Sequence, residues 1–570
     1  MKNLSRLAVM AICLLLTAIF TSACGGGGKT TPPSYPFLFV QNNQQQENNQ
    51  QEENNNNQEE NNNEEEHANT TDVTLTLTDS LNADQIATAD IYYSVDDNTK
   101  SSDDDQEILK AKPTANDKTK FTISVNGTAE NTKIKAVITY DSTGKCLDYF
   151  SSYNGVESEN NAFNVNFENS NGDFGGGSGT EDDPYLISQP RHFVNINKQD
   201  DQGNYLYLNK NFKQTEDLDF SHLTGLKVNK ADEDKDITIE TVNQNAPLYN
   251  DGQGIIPIGK DNEEEESYLY YFQGSYDGNK KTIDGIMFVN SQKAGIGLFT
   301  GLNNGTLQNL TIGENSIFFI DTNNESYSYC IYIGGLAVSS SNYSTIENCT
   351  NNAKIVIKNL EIDDKYHYHH NINGIISFGY NTQIINCTNN GNITVDNCKF
   401  YSLFVNGIAG QVDSYSADEQ NTIDNCINNG NITITNNKNI VNGSNLTLYT
   451  SGIIGQTYNE NNNAEITNCT NNGNIIVKNN SNLSLNSGGI IAQAYTVNVT
   501  TCANKRNITI AENTVTEDIF CDIYAYGIAF ISNSSNTQIA EDCTNEGTIT
   551  ATEEDNPNYI ISTGEIAGSY

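Results

Sequence analysis

Short runs in which hydrophobic and polar residues alternate begin at about residue 72 and are separated by turn-rich segments. In the run 73–77, Val73, Leu75 and Leu77 point to one side of an extended chain and threonines to the other, as in a strand with one buried face. Similar runs follow at 91–95, 121–125, 134–140 and 163–167. Because short alternating strands with turns between them are typical of sandwiches, the pattern predicts a small, immunoglobulin-like β-sandwich over residues 72–168.

From residue 295 the hydrophobic pattern repeats, and each repeat contains three short apolar segments. The first carries a Gly-Ile or Gly-Leu pair, beginning at Gly297, Gly335, Gly374, Gly407, Gly452, Gly489 and Gly527. The second ends in cysteine, at Cys349, Cys387, Cys426, Cys469, Cys502 and Cys543. The third follows a turn related to Asn-Asn-Gly and contains an isoleucine, at Ile355, Ile393, Ile432, Ile475, Ile508 and Ile549. Repetition at a period of this length indicates a solenoid.

The repeated segments predict strands, because they are short and rich in β-branched residues. The Asn-Asn-Gly sequences suit tight corners, since Gly and Asn tolerate the left-handed backbone that a corner requires. Three strands joined by corners make one coil, and a coil buries its apolar side only by stacking on its neighbours. The sequence therefore predicts an all-β protein whose main part is a right-handed parallel β-helix solenoid, with three strands in each coil and variable loops outside.

The six repeated cysteines are predicted to form a structural ladder inside this β-helix. In the first coil Leu310 occupies the place that Cys349 occupies in the next, and a site that accepts either residue is an apolar interior site. Stacked coils bring such residues to ~4.8 Å, but their side chains point in parallel. We therefore expect mostly free, inert thiols and no metal site, because zinc needs ligands in pairs.

The repeats resemble the GLUG-motif repeat, a Gly-Leu-apolar-Gly signature of bacterial surface proteins. Residues 407–410 (Gly-Ile-Ala-Gly) and 452–455 (Gly-Ile-Ile-Gly) fit it, with Ile in place of Leu. Residues 177–187 resemble the entry segment of such β-helices, and 272–285 resemble the coil before the first GLUG unit. The resemblance implies irregular N-terminal coils over 169–294 and regular repeats over 295–570. It implies little about function, since the repeat occurs in adhesins and as an accessory region of zinc-type immunoglobulin-A peptidases.

Residues 1–23 have the layout of a secretory signal peptide. Basic residues precede an apolar run, 7–20, that is shorter than the ~20 residues needed to span a bilayer. The residues Thr-Ser-Ala before Cys24 resemble the lipobox of bacterial lipoproteins, although Thr21 stands where the family usually has Leu. The resemblance implies lipid attachment to the thiol of Cys24. The alternative is ordinary cleavage after Ala23, which would leave that thiol free.

An almost unbroken run of Asn, Gln and Glu occupies residues 41–66. Such a stretch cannot bury enough apolar surface to offset its ordering entropy, and its acidic residues repel one another. We therefore predict a disordered tether over residues 24–71 that holds the folded part away from the membrane.

The charge of the chain is strongly one-sided, with 72 acidic and 30 basic residues and a net charge of −42. This argues against nucleic acid as a partner, because phosphate binding needs clustered Lys and Arg. It argues equally against direct contact with an anionic lipid surface, so the lipid on Cys24 is the expected link to the membrane.

Candidate catalytic and metal-binding chemistry is sparse. No His is followed by Glu, so the His-Glu-x-x-His motif of zinc peptidases is missing. Asp217 and Asp219 would face one way in a strand, but a soluble edge strand explains them better than a glycosidase pair. The histidine cluster 366–370 is assigned to an outer loop with little tendency to hold a metal. No cofactor is predicted, and the acidic run 263–266 would at most bind calcium weakly.

These elements together favour a lipid-anchored, adhesin-like binding or structural protein of the outer membrane, exposed at the cell surface and not an enzyme. Its expected partner is a host or bacterial surface protein or a glycan. Two other classes stay open: a β-helical polysaccharide lyase, glycosidase or glycan-binding protein, and an envelope scaffold without a ligand. Aromatic and acidic residues clustered along one outer face would favour the carbohydrate class, whereas scattered loop aromatics without a carboxylate pair would favour the adhesin.

Overall fold

The computed structural model describes the strands within residues 70–165 and then most of the chain from 173 to 569. Short gaps lie at 201, 222, 245, 247, 261–270, 291–294, 323–325, 328–329, 363–368, 415–419, 440–445, 460–463, 516–518, 534–536 and 553–556. The predicted signal peptide, Cys24, nearly all of the predicted tether and the acidic run 263–266 lie outside the described residues. Among the described residues no helix combines the length and apolar character needed to cross a bilayer.

Residues 70–165 form two five-stranded sheets, and each of the five alternating runs overlaps a strand. The first sheet contains, in spatial order, Pro113–Thr114, Asp117–Asn126, Thr70–Leu77, Ala162–Val165 and Glu157–Ser158. The second contains Glu107–Ala111, Ile86–Val95, Thr132–Tyr140 and Leu147–Tyr149, with Tyr153–Asn154 also paired to Thr132–Tyr140. The immunoglobulin-like packing of these two sheets stays a prediction.

From residue 185 onward the chain winds into a parallel β-helix solenoid, in which six parallel sheets run along the stack of coils. We number the sheets 1 to 6 in the order in which one coil visits them, starting at the strand before the Gly-Ile pair.

Sheets 1 and 2 flank the Gly-Ile pair. Sheet 1 contains Gly295–Ile296, Tyr332–Gly334, His369–Asn373, Ser402–Asn406, Leu446–Ser451, Leu483–Gly488, Cys521–Tyr526 and Tyr559–Gly564. Sheet 2 contains Phe299–Asn303, Ala337–Ser341, Ile376–Tyr380, Ala409–Ser414, Ile454–Asn459, Ile491–Tyr495, Ala529–Asn533 and Ala567–Ser569.

Sheets 3 and 4 flank the cysteine position. Sheet 3 contains Tyr185–Ile187, Asn211–Gln214, Ser275–Asp277, Thr306–Gln308, Thr345–Glu347, Gln383–Ile385, Thr422–Asp424, Ala464–Thr467, Val497–Thr500 and Gln538–Ile539. Sheet 4 contains Leu218–Asp219, Thr282–Asp284, Thr311–Ile312, Thr350–Asn351, Thr388–Asn389, Ile427–Asn428, Thr470–Asn471, Ala503–Asn504 and Thr544–Asn545.

Sheets 5 and 6 complete the coil. Sheet 5 contains Met287–Val289, Ile317–Asp321, Lys354–Lys358, Ile393–Asp396, Ile432–Thr435, Ile475–Lys478, Ile508–Ala511 and Ile549–Ala551. Sheet 6 contains Ser326–Tyr327, Glu361–Ile362, Lys399–Phe400 and Lys438–Asn439.

The predicted number of three strands per coil is wrong, because the repeat coils contain five or six short strands. The sheet 4 strands lie at the start of the predicted Asn-Asn-Gly turn, and four of the coils add a strand in sheet 6. Left-handed asparagines mark two of the three bends. Asn348 (φ 54°) separates sheets 3 and 4, and Asn359 (φ 52°) separates sheets 5 and 6. The third bend lies at the Gly-Ile pair. Asparagine reaches the left-handed region at little cost, so a sequence rich in Asn can bend every coil at the same places.

A continuous apolar core fills the solenoid, and Leu, Ile, Val and Cys from successive coils stack in columns along it. The short helix Pro190–Val194, followed by the 3-10 turn Asn195–Asn197, covers the first coils. Phe193 from this helix is buried, with its ring centroid 5.7 Å from that of Tyr276 and 6.2 Å from that of Phe299. The regions predicted as irregular and regular coils therefore share one core.

An inserted hairpin covers the outer face of sheet 5 at its first strands. Its strands, Leu226–Asn229 and Thr238–Thr241, pair antiparallel, and the 3-10 turn Asp234–Asp236 lies between them; a further 3-10 turn spans Asn250–Gly252. Apolar side chains of the hairpin and sheet 5 form a separate buried cluster of Leu226, Ile237, Met287, Val289, Ile317, Phe319 and Val356. This cover explains why the outer face of sheet 5 is apolar in these coils.

Lys358 fixes this hairpin to the solenoid. Its Nζ donates to two carbonyl oxygens at the hairpin turn, at 3.0 and 2.6 Å, and lies 3.5 Å from the carboxylate of Asp321. We expect Lys358→Met to loosen the hairpin by about 2–4 kcal/mol, because the two carbonyl oxygens and the carboxylate of Asp321 lose the Lys358 ammonium group. Hydrogen exchange of residues 226–241 measures this. Lys478→Met, in the same column of sheet 5 beyond the hairpin, is the control; equal exchange in both variants would contradict the assignment.

His370 lies in the core, which corrects its assignment to an outer loop. It belongs to the strand His369–Asn373, is fully buried, and aligns with Leu403 in the next coil. Its Nδ1 accepts a hydrogen bond from the backbone N–H of Ile331, at 3.1 Å. A buried imidazole in a leucine column cannot serve an exposed metal site. Residues 366–368 of the cluster lie outside the described residues.

Burial lowers the pKa of His370 to about 3, and burial likewise lowers the pKa of His192 to about 3. In the unfolded chain the pKa of a histidine is near 6.5. Between pH 6.5 and 3 the unfolded state therefore binds a proton at this histidine, whereas the folded state does not. Each residue should therefore reduce the free energy of unfolding by about 1.4 kcal/mol for every pH unit below 6.5. We expect the free energy of unfolding to fall less between pH 7 and pH 5 in His370→Leu than in the wild type, by the amount that one histidine contributes. Urea unfolding at the two pH values measures this difference. An unchanged difference between the two pH values would contradict it.

Candidate functional site

The six cysteines named as a ladder lie at the bend between sheets 3 and 4, with their side chains buried in the core. Each thiol donates to a carbonyl oxygen of the preceding coil; the Sγ of Cys387 lies 3.4 Å from the oxygen of Ile346. None of the nine cysteines in the described part of the chain forms a disulfide. Burial raises the pKa of the Cys349 and Cys426 thiols. This ladder is interior packing and offers no accessible chemistry.

The two aspartates weighed as a glycosidase pair hold local structure. Asp217 accepts the backbone N–H of Thr282 at 2.7 Å, and Asp219 accepts the N–H and hydroxyl of Ser221 at 2.9 and 2.6 Å. No group of three or more potential metal ligands occurs among the described residues.

A second interior ladder, of asparagines, was not predicted. Asn351, Asn389, Asn428, Asn471 and Asn504 are fully buried at the ends of sheet 4 strands, and each amide donates to the carbonyl oxygen of the next, at 2.7–3.1 Å. Each also donates to a backbone carbonyl two residues on, as Asn428 does to Gly430 at 2.9 Å. Both ladders lie in the interior and connect successive coils, so neither offers accessible chemistry.

The connections that vary in length are concentrated at the outer margins of sheets 1 and 2. After sheet 2 the connection is residues 415–421 in one coil and Thr496 alone in another. Before sheet 1 it is residues 512–520 in one coil and Tyr401 alone in another. The links from sheet 3 to sheet 4 and from sheet 4 to sheet 5 are almost constant. Binding residues concentrate where loops vary on a rigid frame, so this side of the solenoid is the candidate functional site.

The outer surface of sheets 1 and 2 is almost uncharged, although the chain carries a net charge of −42. The strands of these two sheets contain no Lys, Arg or Glu, and their acidic residues are Asp413 and Asp522. Asp413 is buried and accepts the backbone N–H of Tyr458 at 3.0 Å. The two aspartates lie in different sheets and in coils that are not adjacent. The strands of this surface therefore hold no carboxylate pair for glycoside chemistry.

Aromatic rings line both sides of the bend between sheets 1 and 2. Tyr332 of sheet 1 meets Phe378 of sheet 2 edge to face, with 4.9 Å between ring centroids. Along sheet 1, Phe404 and Tyr449 stack at 4.4 Å and 11°. Along sheet 2, the partly exposed rings of Tyr458 and Tyr495 lie 5.8 Å apart. Such pairs are stabilised by ring geometry as well as by burial.

Three glutamines form a row of amides between these rings. Gln411, Gln456 and Gln493 occupy one column of sheet 2. The amide of Gln411 donates to Gln456 at 2.9 Å, and that of Gln456 donates to Gln493 at 2.8 Å. Gln411 also accepts from Asn371 of sheet 1 at 3.3 Å, which links the two sheets across the bend. We call this row, with the partly exposed Tyr449, Tyr458 and Tyr495, the amide–aromatic face.

Alignment of the repeats on the Gly-Ile pair would have revealed the row, because each glutamine stands four residues after the glycine: Gln411 after Gly407, Gln456 after Gly452, and Gln493 after Gly489. The sequence alone does not show that the side chains point outward or that tyrosines flank them.

No protein-family model matches the chain, and a search of curated proteins finds no match. The GLUG resemblance therefore rests on the motif residues alone.

Proposed function

We propose that the chain is a lipid-anchored binding protein of the bacterial cell surface, adhesin-like, that presents the amide–aromatic face on a rigid β-helix. The lipid on Cys24 holds it in the outer membrane, and residues 24–71 carry the folded part away from the lipid. The partner is a surface protein or glycan of a host or of another bacterium. Neither an enzymatic activity nor a cofactor is part of this proposal.

The observation that carries the proposal is the uncharged amide–aromatic face on an otherwise strongly acidic protein, bordered by connections of variable length. A solvated surface with no partner is ordinarily charged, and rigid tyrosines make contacts at low entropic cost. An envelope scaffold without a ligand would need no such face. A carbohydrate-active enzyme would need paired carboxylates, which the described strands of this face lack.

The test is cell fractionation with protease shaving of intact cells, comparing the wild type with Cys24→Ala. We expect the wild-type protein in the membrane fraction and digested on intact cells, and the Cys24→Ala protein outside the membrane fraction. Equal membrane retention of both proteins would overturn the anchor at Cys24. Wild-type protein that becomes digestible only after permeabilisation would overturn the surface location and favour a periplasmic scaffold.

A further inference from the structure

We propose that the amide–aromatic face binds an extended, uncharged polysaccharide chain that runs along the solenoid axis. This inference rests on the proposed binding function and narrows its partner to one class of chemistry.

The amide row has hydrogen-bonding capacity left over. An amide has two N–H donors and a carbonyl oxygen with two lone pairs. The side chain of Gln456 donates one N–H to Gln493 and accepts one from Gln411, and the remaining donor and lone pair have no partner among the described residues. Gln411 and Gln456 are only partly buried, so part of each residue is open to solvent. Sugar hydroxyls both donate and accept, and a row of such amides is complementary to them.

The flanking rings supply the second half of sugar recognition. Tyr458 is 43% exposed, and its neighbour Tyr495 is half-buried on the same column of sheet 2. Across the bend, Tyr449 is held flat against Phe404. A pyranose ring presents a face of C–H groups that packs against an aromatic ring while its hydroxyls point sideways to polar partners.

The spacing and charge of the face decide which polymer fits. Adjacent coils are ~4.8 Å apart, close to the length that one sugar adds to an extended pyranose chain, so successive sugars would pass Gln411, Gln456 and Gln493 in turn. The strands of sheets 1 and 2 contain no Lys or Arg to neutralise a uronate or sulfate. The net charge of −42 would also repel a polyanion. A neutral polysaccharide is therefore the expected ligand.

The test is affinity gel electrophoresis of the purified full chain in gels that contain a mixed-linkage β-glucan, a mannan or a dextran, with alginate and polygalacturonate as charged counterparts. We expect at least one neutral polymer to retard the protein and neither charged polymer to do so. Tyr458→Ala and Gln456→Ala should each weaken retardation about tenfold, the factor that one lost ring or hydrogen-bond contact produces.

Two matched controls lie outside the amide–aromatic face, one in the connection after a sheet 2 strand three coils before Tyr458 and one on sheet 3. Tyr343→Asn removes a tyrosine that is 59% exposed at a left-handed corner, and Gln383→Ala removes an exposed glutamine of sheet 3. Both controls should bind as the wild type does. Tyr458→Ala removes an exposed side chain and keeps the fold, which far-ultraviolet circular dichroism verifies.

Three outcomes would overturn the inference: no retardation by any neutral polymer, retardation by the polyanions alone, or equal retardation of all variants. Capture of a protein partner at this face without any glycan binding would also overturn it. None of these outcomes would alter the result of protease shaving, so failure here is distinguishable from failure of the proposed surface function.

Discussion

Asn428→Ala is expected to destabilise the solenoid around it by about 3–5 kcal/mol. The substitution removes only one side-chain amide, and the sequence pattern predicts a turn at this position. The Asn428 amide donates to Gly430 and Asn471, and its oxygen accepts from Asn389, all at 2.9 Å. The residue is fully buried. Its loss leaves one N–H of Asn389 and the carbonyl oxygen of Gly430 without this partner where water cannot replace it, and each costs about 1–3 kcal/mol. The side-chain oxygen of Asn471 keeps the N–H of Gly473, at 3.2 Å.

The adjacent residue provides the control. Asn429 lies on the outside, where its amide donates to Asn390 at 2.7 Å and its oxygen accepts from Asn472 at 2.8 Å. Because water can replace these bonds, Asn429→Ala should cost less than about 1 kcal/mol. Urea unfolding and hydrogen exchange of both variants measure the difference. A solenoid is held by contacts between neighbouring coils, so the exchange should rise first beside Asn428. Similar effects at the two positions would mean that the inner ladder contributes little to stability.

Gly374→Ala is the second substitution for which we expect a large loss, of about 3 kcal/mol or more. A Cβ at this position would lie 2.2 Å from the carbonyl oxygen of Gly407 in the next coil and 2.4 Å from the Cγ of Asn389. Neither atom can move away without changing the coil spacing or the asparagine ladder. The recurrent glycine is therefore required for the close approach of backbone and buried amide, and not for a left-handed conformation.

Gly379→Ala tests the same substitution a short distance along the same coil. The nearest atom to its Cβ would be the Cβ of Thr382, at an ordinary 3.5 Å. We expect unchanged stability or a gain of up to about 1 kcal/mol, because alanine lowers the entropy of the unfolded chain. Thermal unfolding of the two variants compares them. Equal unfolding temperatures for Gly374→Ala and Gly379→Ala would contradict the packing described at the Gly-Ile bend.

The coil-to-coil repeat could be predicted from the sequence because the Gly-Ile pairs, the cysteines and the isoleucines recur in phase. The different environments of the two asparagines within Asn-Asn-Gly could not be predicted from the sequence. Asn389 and Asn390 are neighbours of identical chemistry, yet the first is fully buried and the second exposed. Turn propensity explains both equally well, and only the position of the next coil distinguishes them. The same limit applies to His370, whose polar neighbours indicated a loop while its register placed it in a leucine column.

The candidate site was predictable only in outline. Variable insertions indicated loops on the outside of the solenoid, and the structure concentrates them at the margins of sheets 1 and 2, beside the amide–aromatic face. The outward direction of Gln456 and Tyr458 depends on the bend that divides the Gly-Ile segment into two strands. The prediction of one strand at this segment hid that bend. The hairpin fixed by Lys358 escaped detection because residues 226–241 lack the repeat pattern and contact sheet 5 far along the chain.

The proposed function requires that the amide–aromatic face lies outside the cell, while the six ladder thiols of the same solenoid are buried in its core. Labelling of intact cells with a membrane-impermeant maleimide tests it most directly, with Tyr458→Cys compared against the wild type. We expect clear labelling of Tyr458→Cys above the wild-type signal, because Tyr458 is exposed and the six ladder thiols are not. Labelling of Tyr458→Cys no stronger than that of the wild type until the cells are permeabilised would contradict it.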